Sequence, residues 1–168
     1  HCISVDPYYL KYKAEKAGYK PSIISSGRKV NENMTKIISN KIRLFFKRRK
    51  NNNKIRIGIM GLTFKENCPD TRNSQIFKLI NLLKKKRFDI EITDPLLKIS
   101  EIPKPFKKFF VNKFSKKKDC LVLATPHKEF LKYKKNYYEN NLNDNSMIFD
   151  VQKVLKLNLS KKISLYSF

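Results

Sequence analysis

No run of about 18 apolar residues occurs in this chain, so no segment has the length of a membrane-spanning helix. Its first ten residues, HCISVDPYYL, carry neither the basic region nor the apolar core of a secretory signal, and they open on His1 rather than Met. The chain therefore reads as the middle of something longer, and at 168 residues it is short for a complete two-substrate enzyme. Cysteine is scarce. Cys2, Cys68 and Cys120 are odd in number and lack zinc-type spacing, which argues against a metal site and for free thiols in a reducing, cytoplasmic compartment. Acidic residues are also few: 14 stand against 38 basic ones, a formal net charge of +24.

Two readings of that charge compete. A strongly basic balance suits nucleic acid or another acidic surface. Yet the excess is mostly lysine, it runs through almost every segment, and it comes with abundant Asn and Ile, the residue types an A+T-rich coding sequence over-produces. A drifted, solvated surface explains it without a partner, and this is the preferred reading; a basic nucleic-acid-binding α/β module is the alternative.

The informative stretch is Gly58 to Ser74, GIMGLTFKENCPDTRNS. Before it, Ile55 to Met60 has the β-branched character of a buried strand; after it, Gln75 to Lys86 repeats Ile76, Ile80 and Leu83 at helical spacing. Asn73 or Ser74 is placed to cap that helix, and Arg72 falls just before its N-terminus, where an anion is favoured. The pattern then alternates: strands are expected at Lys54–Met60, Phe88–Thr93, Cys120–Thr125 and Met147–Val151, giving a doubly wound α/β domain with a parallel sheet and its ligand at the strands' carboxyl ends. Gly58 and Gly61 are present but no third glycine opens the helix, so this is not a dinucleotide fingerprint.

Upstream, Pro7 points to a loop at His1–Pro7 feeding a helix from Tyr8 that ends at Gly18, and a longer helix is expected from Ser22 to about Lys50 with more than one apolar face. Lys47 to Lys54 reads as a charged, Asn-rich linker and domain boundary. Lys98 to Lys118, with Phe106, Phe109, Phe110 and Phe114, reads as a core-facing amphipathic segment in preference to an RNA-stacking one. Asp94-Pro95 reads as a turn, His127 as a surface loop histidine, and Leu155 to Phe168 has no readable role. A lone Cys2 is, on spacing alone, more simply filling than nucleophile.

HCISVDPYYL, then GRKVNENM at Gly27–Met34, then GLTFKENCPDTRNS together resemble the nucleotide-sugar 6-dehydrogenases, most closely those oxidising UDP-N-acetylglucosamine or UDP-N-acetylgalactosamine, over His1 to about Leu155. The resemblance implies that residues 1–50 hold the catalytic thiol and a helical connector that is also a homodimer seam. Residues 54–168 would form the UDP-sugar-binding, Rossmann-like domain, and NAD would be held mainly by an N-terminal domain that this sequence does not include. Cys2 matches the family nucleophile and Asp6 the carboxylate that helps activate water. Phe64 and Lys65 match the pair lining the sugar, and Arg72 the arginine that reaches toward NAD. Lys153 is the nearest match to a basic substrate contact after the last strand, and Arg28 is placed to meet substrate anions, although a solvated helical arginine fits as well. An inactive fragment of a split dehydrogenase gene is a further alternative, and no turnover is expected from this chain alone.

Overall fold

The computed structural model describes residues 2–47 and 54–168; the side chains of residues 2–4 and most of the expected linker lie outside the described residues. Two helices come first. The first, α1, spans Cys2–Lys16 and ends as Gly18 turns to a φ of +78°, with the Tyr19 amide donating to the Ala14 carbonyl at 2.9 Å. Glycine suits that position because it has no Cβ to oppose the left-handed turn. The expected start at Tyr8 is corrected: Pro7 lies inside α1. Its fixed φ is helical, and so near the helix start its missing N–H removes a single backbone bond.

The second helix, α2, runs Ser22–Phe46, and its 25 residues extend about 38 Å. Thr35, Ile38, Ser39, Ile42 and Phe46 are buried, a stripe at three- and four-residue steps that packs on the following domain. Ile23, Val30, Ile37 and Leu44 recur every seventh residue and are all exposed, Ile23 at 89%.

The domain itself is built from β1 (Arg56–Met60), α3 (Ile76–Lys85), β2 (Asp89–Thr93), β3 (Lys118–Leu123), the short helices α4 (Lys128–Leu131) and α5 (Lys135–Asn141), β4 (Leu142–Asp150) and β5 (Ile163–Ser167). The five strands form one parallel sheet in the order β2-β1-β3-β4-β5, with Ile57 opposite Ile90 on one side and Cys120 on the other. Covered on both faces, such strands need no polar side, and β1 and β3 are almost wholly buried. One face packs Ile57, Ile59, Ile92 and Val122 against α2 and α3; the other packs Met60, Leu121, Leu123 and Ile148 against Phe130 of α4 and Tyr138 of α5. The doubly wound expectation is met.

Two details differ from the sequence reading. The tail after Leu155 supplies β5, a fifth strand at the sheet edge beside β4. The 98–118 segment forms two 3-10 turns, Ile99–Glu101 and Lys104–Phe109, rather than a continuous helix, while its Phe side chains do face the two cores. At its end Lys118 is buried, with Nζ 2.7 Å from Glu91 and 5.3 Å from the Phe114 ring centre.

Candidate functional site

Order in the sheet reverses at β1: the chain goes from β1 outward to β2, then crosses back to β3. The loops leaving β1 and β3 therefore flank a switch point, where doubly wound sheets offer a crevice. Here that crevice is filled by the protein. Gly61, at φ +91°, approaches Thr125, and the Thr125 hydroxyl donates to the Thr63 carbonyl at 3.1 Å. The Asp94 carboxylate accepts from the Leu62 amide at 2.7 Å and the Leu96 amide at 2.9 Å, so it serves as the turn expected there.

The surface-histidine expectation for His127 is corrected. Its ring is fully buried, with Nδ1 accepting from the Asn67 amide at 2.9 Å, and Nε2 lying 3.1 Å from Asp94 Oδ2 and 3.2 Å from Thr63 Oγ1. A ring nitrogen that accepts from an amide carries no proton, which assigns the hydrogen to Nε2, facing the carboxylate. Residues directly after a parallel strand here pass beneath the neighbouring loop, a tertiary placement invisible to local polarity. Asn67, at φ +57°, completes the join by accepting from the Lys128 amide at 2.9 Å through its side chain.

Held this way, the loop turns Phe64 toward α2. A cavity of about 310 Å³ opens between them, lined by Arg28, Asn31, Thr35, Phe64, Asn73 and Val151 among others. Its volume falls at the lower end of the roughly 300–1,000 Å³ typical of ligand pockets. Of the lining atoms, Arg28 Nε and Thr35 Oγ1 are buried and have no hydrogen-bond partner within the protein.

Arg28 also borders a neighbouring groove of about 680 Å³ with Tyr8, Glu32, Lys78 and Lys85. Its guanidinium lies over the Tyr8 ring, 4.8 Å from the centre, and the Tyr8 hydroxyl donates to the Glu32 carboxylate. That hydroxyl, above all, holds the Glu32 carboxyl below its usual value. Arg28 is thus a half-buried arginine that lines both cavities.

The other anticipated residues lie around this centre rather than in it. Lys65 is exposed beside Phe64, and Lys153 is exposed at φ +57°, two residues beyond Val151. Arg72 is exposed too, but Asp70 grips it: Nε is 3.0 Å and Nη2 2.7 Å from the carboxylate, and the Arg72 backbone amide adds a bond at 2.9 Å. The guanidinium beside Asp70 holds that carboxyl below its ordinary value. The capping expectation is corrected: the residue that caps α3 is Gln75, with no side-chain cap bond, while Ser74 Oγ accepts from the Ile76 amide at 3.3 Å one residue earlier. Asp6 is exposed on α1 and lines neither cavity; the Cys2 backbone is helical and its side chain is among those not described. Sequence reasoning missed Thr35, Asn73 and Tyr8, which had only their nearness to recognised motifs as a signal. Among the described residues no group of three or more His, Cys, Asp or Glu is placed to hold a metal, and no helix is long and apolar enough to cross a membrane.

At the switch point a Cβ on Gly61 would meet the Thr125 carbonyl, so the loops after β1 and β3 pack closely there.

Comparison with known proteins agrees with this picture. The profile of the UDP-glucose/GDP-mannose dehydrogenase family, UDP binding domain, matches residues 58–157. Protein CapL of Staphylococcus aureus is 36% identical over 168 residues, covering 97% of this chain and 39% of that protein. The UDP-N-acetyl-D-glucosamine 6-dehydrogenase of Salmonella typhi is 34% identical over 92% of this chain and 37% of its own length. The chain thus spans under two-fifths of these relatives. In fold it resembles the NDP-N-acetyl-D-galactosaminuronic acid dehydrogenase of Methanosarcina mazei, with a TM-score of 0.82 over 99% of this chain and 37% of that one at 18% identity.

Proposed function

Because the chain belongs to the UDP-glucose/GDP-mannose dehydrogenase family through its UDP binding domain, we propose that it is the substrate-binding part of a nucleotide-sugar 6-dehydrogenase. Its substrate is a UDP-N-acetylhexosamine, oxidised at C6 to the uronic acid for surface polysaccharide. The observation that carries this reading is the cavity between the Phe64 loop and α2, which brings Phe64, Arg28, Asn31 and Asn73 together on one wall. A sugar nucleotide offers hydroxyl, amide and phosphate oxygens to such donors, and an apolar ring face to Phe64. Lys65, next along the loop, is placed to steady negative charge on the substrate. Lys153 and Arg72 add positive charge around the rim, Arg72 on the side from which the cofactor approaches.

Residues 1–50 then supply the thiol and the connector, and residues 54–168 the sugar-nucleotide domain. Cys2 is the nucleophile. Its thiolate adds to the C6 aldehyde formed by the first hydride removal, the thiohemiacetal loses a second hydride to become a thioester, and water activated beside Asp6 releases the acid and the thiol. NAD, when bound by residues outside this chain, supplies the hydride acceptor. The exposed stripe Ile23, Val30, Ile37 and Leu44 supports a homodimer through α2, since a seven-residue apolar repeat is a seam for a second helix. Free thiols at Cys68 and Cys120 fit the cytoplasm, where sugar nucleotides are made.

Calorimetric titration of the 168-residue chain with UDP-N-acetylglucosamine tests the assignment. Saturable binding that weakens at least about tenfold in Phe64→Ala and Lys65→Ala is expected, each change removing a direct contact. Binding of RNA or DNA that survives both substitutions, with no affinity for the sugar nucleotide, would replace it with the nucleic-acid reading.

A further inference from the structure

The oxidation chemistry has no use for His127, yet it is the most completely enclosed polar ring next to the site. Its ring packs beside Phe130, and its hydrogen bonds go to two places: Asp94 after β2, and the loop that carries Phe64 and Lys65. Asp94 is already bonded to the Leu62 and Leu96 amides, so it does not depend on the imidazole for satisfaction. The Asn67 amide does depend on it, because Nδ1 is its acceptor. Two residues separate Asn67 from Phe64, and at the near end of this arc the Thr63 hydroxyl donates to the Lys65 carbonyl at 2.9 Å. Fixing Asn67 therefore fixes the far side of the short arc on which both contact residues sit. The Asn67 side chain doubles the tie by accepting from Lys128, the residue after His127.

We propose that His127 is a positioning residue for the ligand loop, acting through its Nδ1 on the Asn67 amide to set where Phe64 and Lys65 stand. The proposal rests on the reading that those two residues contact a sugar nucleotide, and its test separates the two claims. The two ring nitrogens do different work: Nε2 meets the buried carboxylate and the Thr63 hydroxyl, while Nδ1 alone serves the Asn67 amide.

Amide side chains divide these roles. An asparagine places its Oδ1 where Nδ1 was and still accepts from Asn67; a glutamine reaches to the Nε2 position and still donates to Asp94, without an acceptor for the loop. His127→Asn and His127→Gln are compared in the 168-residue chain by melting, by amide hydrogen exchange across residues 63–70, and by titration with UDP-N-acetylglucosamine. His127→Asn is expected to keep the Asn67 amide protected and affinity within about threefold of the unaltered chain. His127→Gln is expected to fold, to lose about tenfold in protection at Asn67 and its neighbours, and to bind about tenfold more weakly, as loss of one well-placed hydrogen bond implies. Equal exchange in the two variants overturns the proposal, as does failure to fold of His127→Asn, which would put the ring's contribution with Asp94, or of His127→Gln, which would make the ring a support of the whole fold. If the unaltered chain binds no sugar nucleotide, the ligand reading fails while the exchange comparison still decides the role of His127.

Discussion

Gly61 and Thr125 approach so closely that a Cβ built on the glycine would lie 2.5 Å from the threonine's carbonyl oxygen. The contact is backbone to backbone, where no flexible side chain can yield, and the φ of +91° is one that other residues resist. Gly61→Ala is expected to destabilise the fold by at least about 2 kcal/mol. Urea denaturation measures it, and a loss within 0.5 kcal/mol, the range of about-neutral surface changes, would mean that the two loops part easily.

Thiol reactivity should divide sharply. Cys120 is fully buried in β3, and burial pushes its thiol far above the usual range. Iodoacetamide is expected to leave Cys120 unmodified in the native chain and to label it in urea, whereas Cys68, half-buried in the ligand loop, reacts natively. Mass spectrometry of tryptic peptides reads both sites. If Cys2 is the nucleophile, Cys2→Ser abolishes turnover of the complete enzyme while leaving sugar-nucleotide binding in place.

The Asp70–Arg72 pair sets a pH window. With its carboxyl held below the ordinary 3.8, the pair persists from neutral pH down past that value and is lost only as the pH falls through the depressed one. An NMR titration following the Arg72 Nε–H signal is expected to show no transition between pH 8 and pH 4 and a break below. A midpoint at 3.8 or above would mean that the pair does not form. Because both groups face water, the effect is read as a local loosening, not as global stability.

The apolar repeat on α2 predicts assembly. Val30→Asp with Ile37→Asp puts two charges on the stripe without touching the buried face of Ile38 and Ile42. A dimeric chain is expected to become monomeric in light scattering, with helix content retained.

Much of the sheet could be read beforehand because β1, β3 and the end of β4 are continuous apolar runs, as strands covered on both faces must be. Ile163-Ser164-Leu165-Tyr166 could not, since an edge strand needs few buried residues and its pairing with β4 supplies the order. Pro7 misled for a related reason: its local preference is real, but one lost bond does not stop a helix. Around the site, the motif residues Phe64, Lys65, Arg72 and Arg28 stood out, while the burial of His127 did not. That burial follows from strand order, which brings residues 60 positions apart into contact, and composition carries no trace of it.

The ties that shape the ligand loop join residues 60, 61, 62 and 64 positions apart. Local bonds such as Thr63 to Lys65 shape the arc itself, but these long-range ties are not made until β3 has docked beside β1. Closing so long a segment is slow compared with forming a helix or a hairpin. A chain emerging from the ribosome therefore carries its recognition residues for some time before it can recognise anything, and affinity arrives only with the completed centre of the sheet.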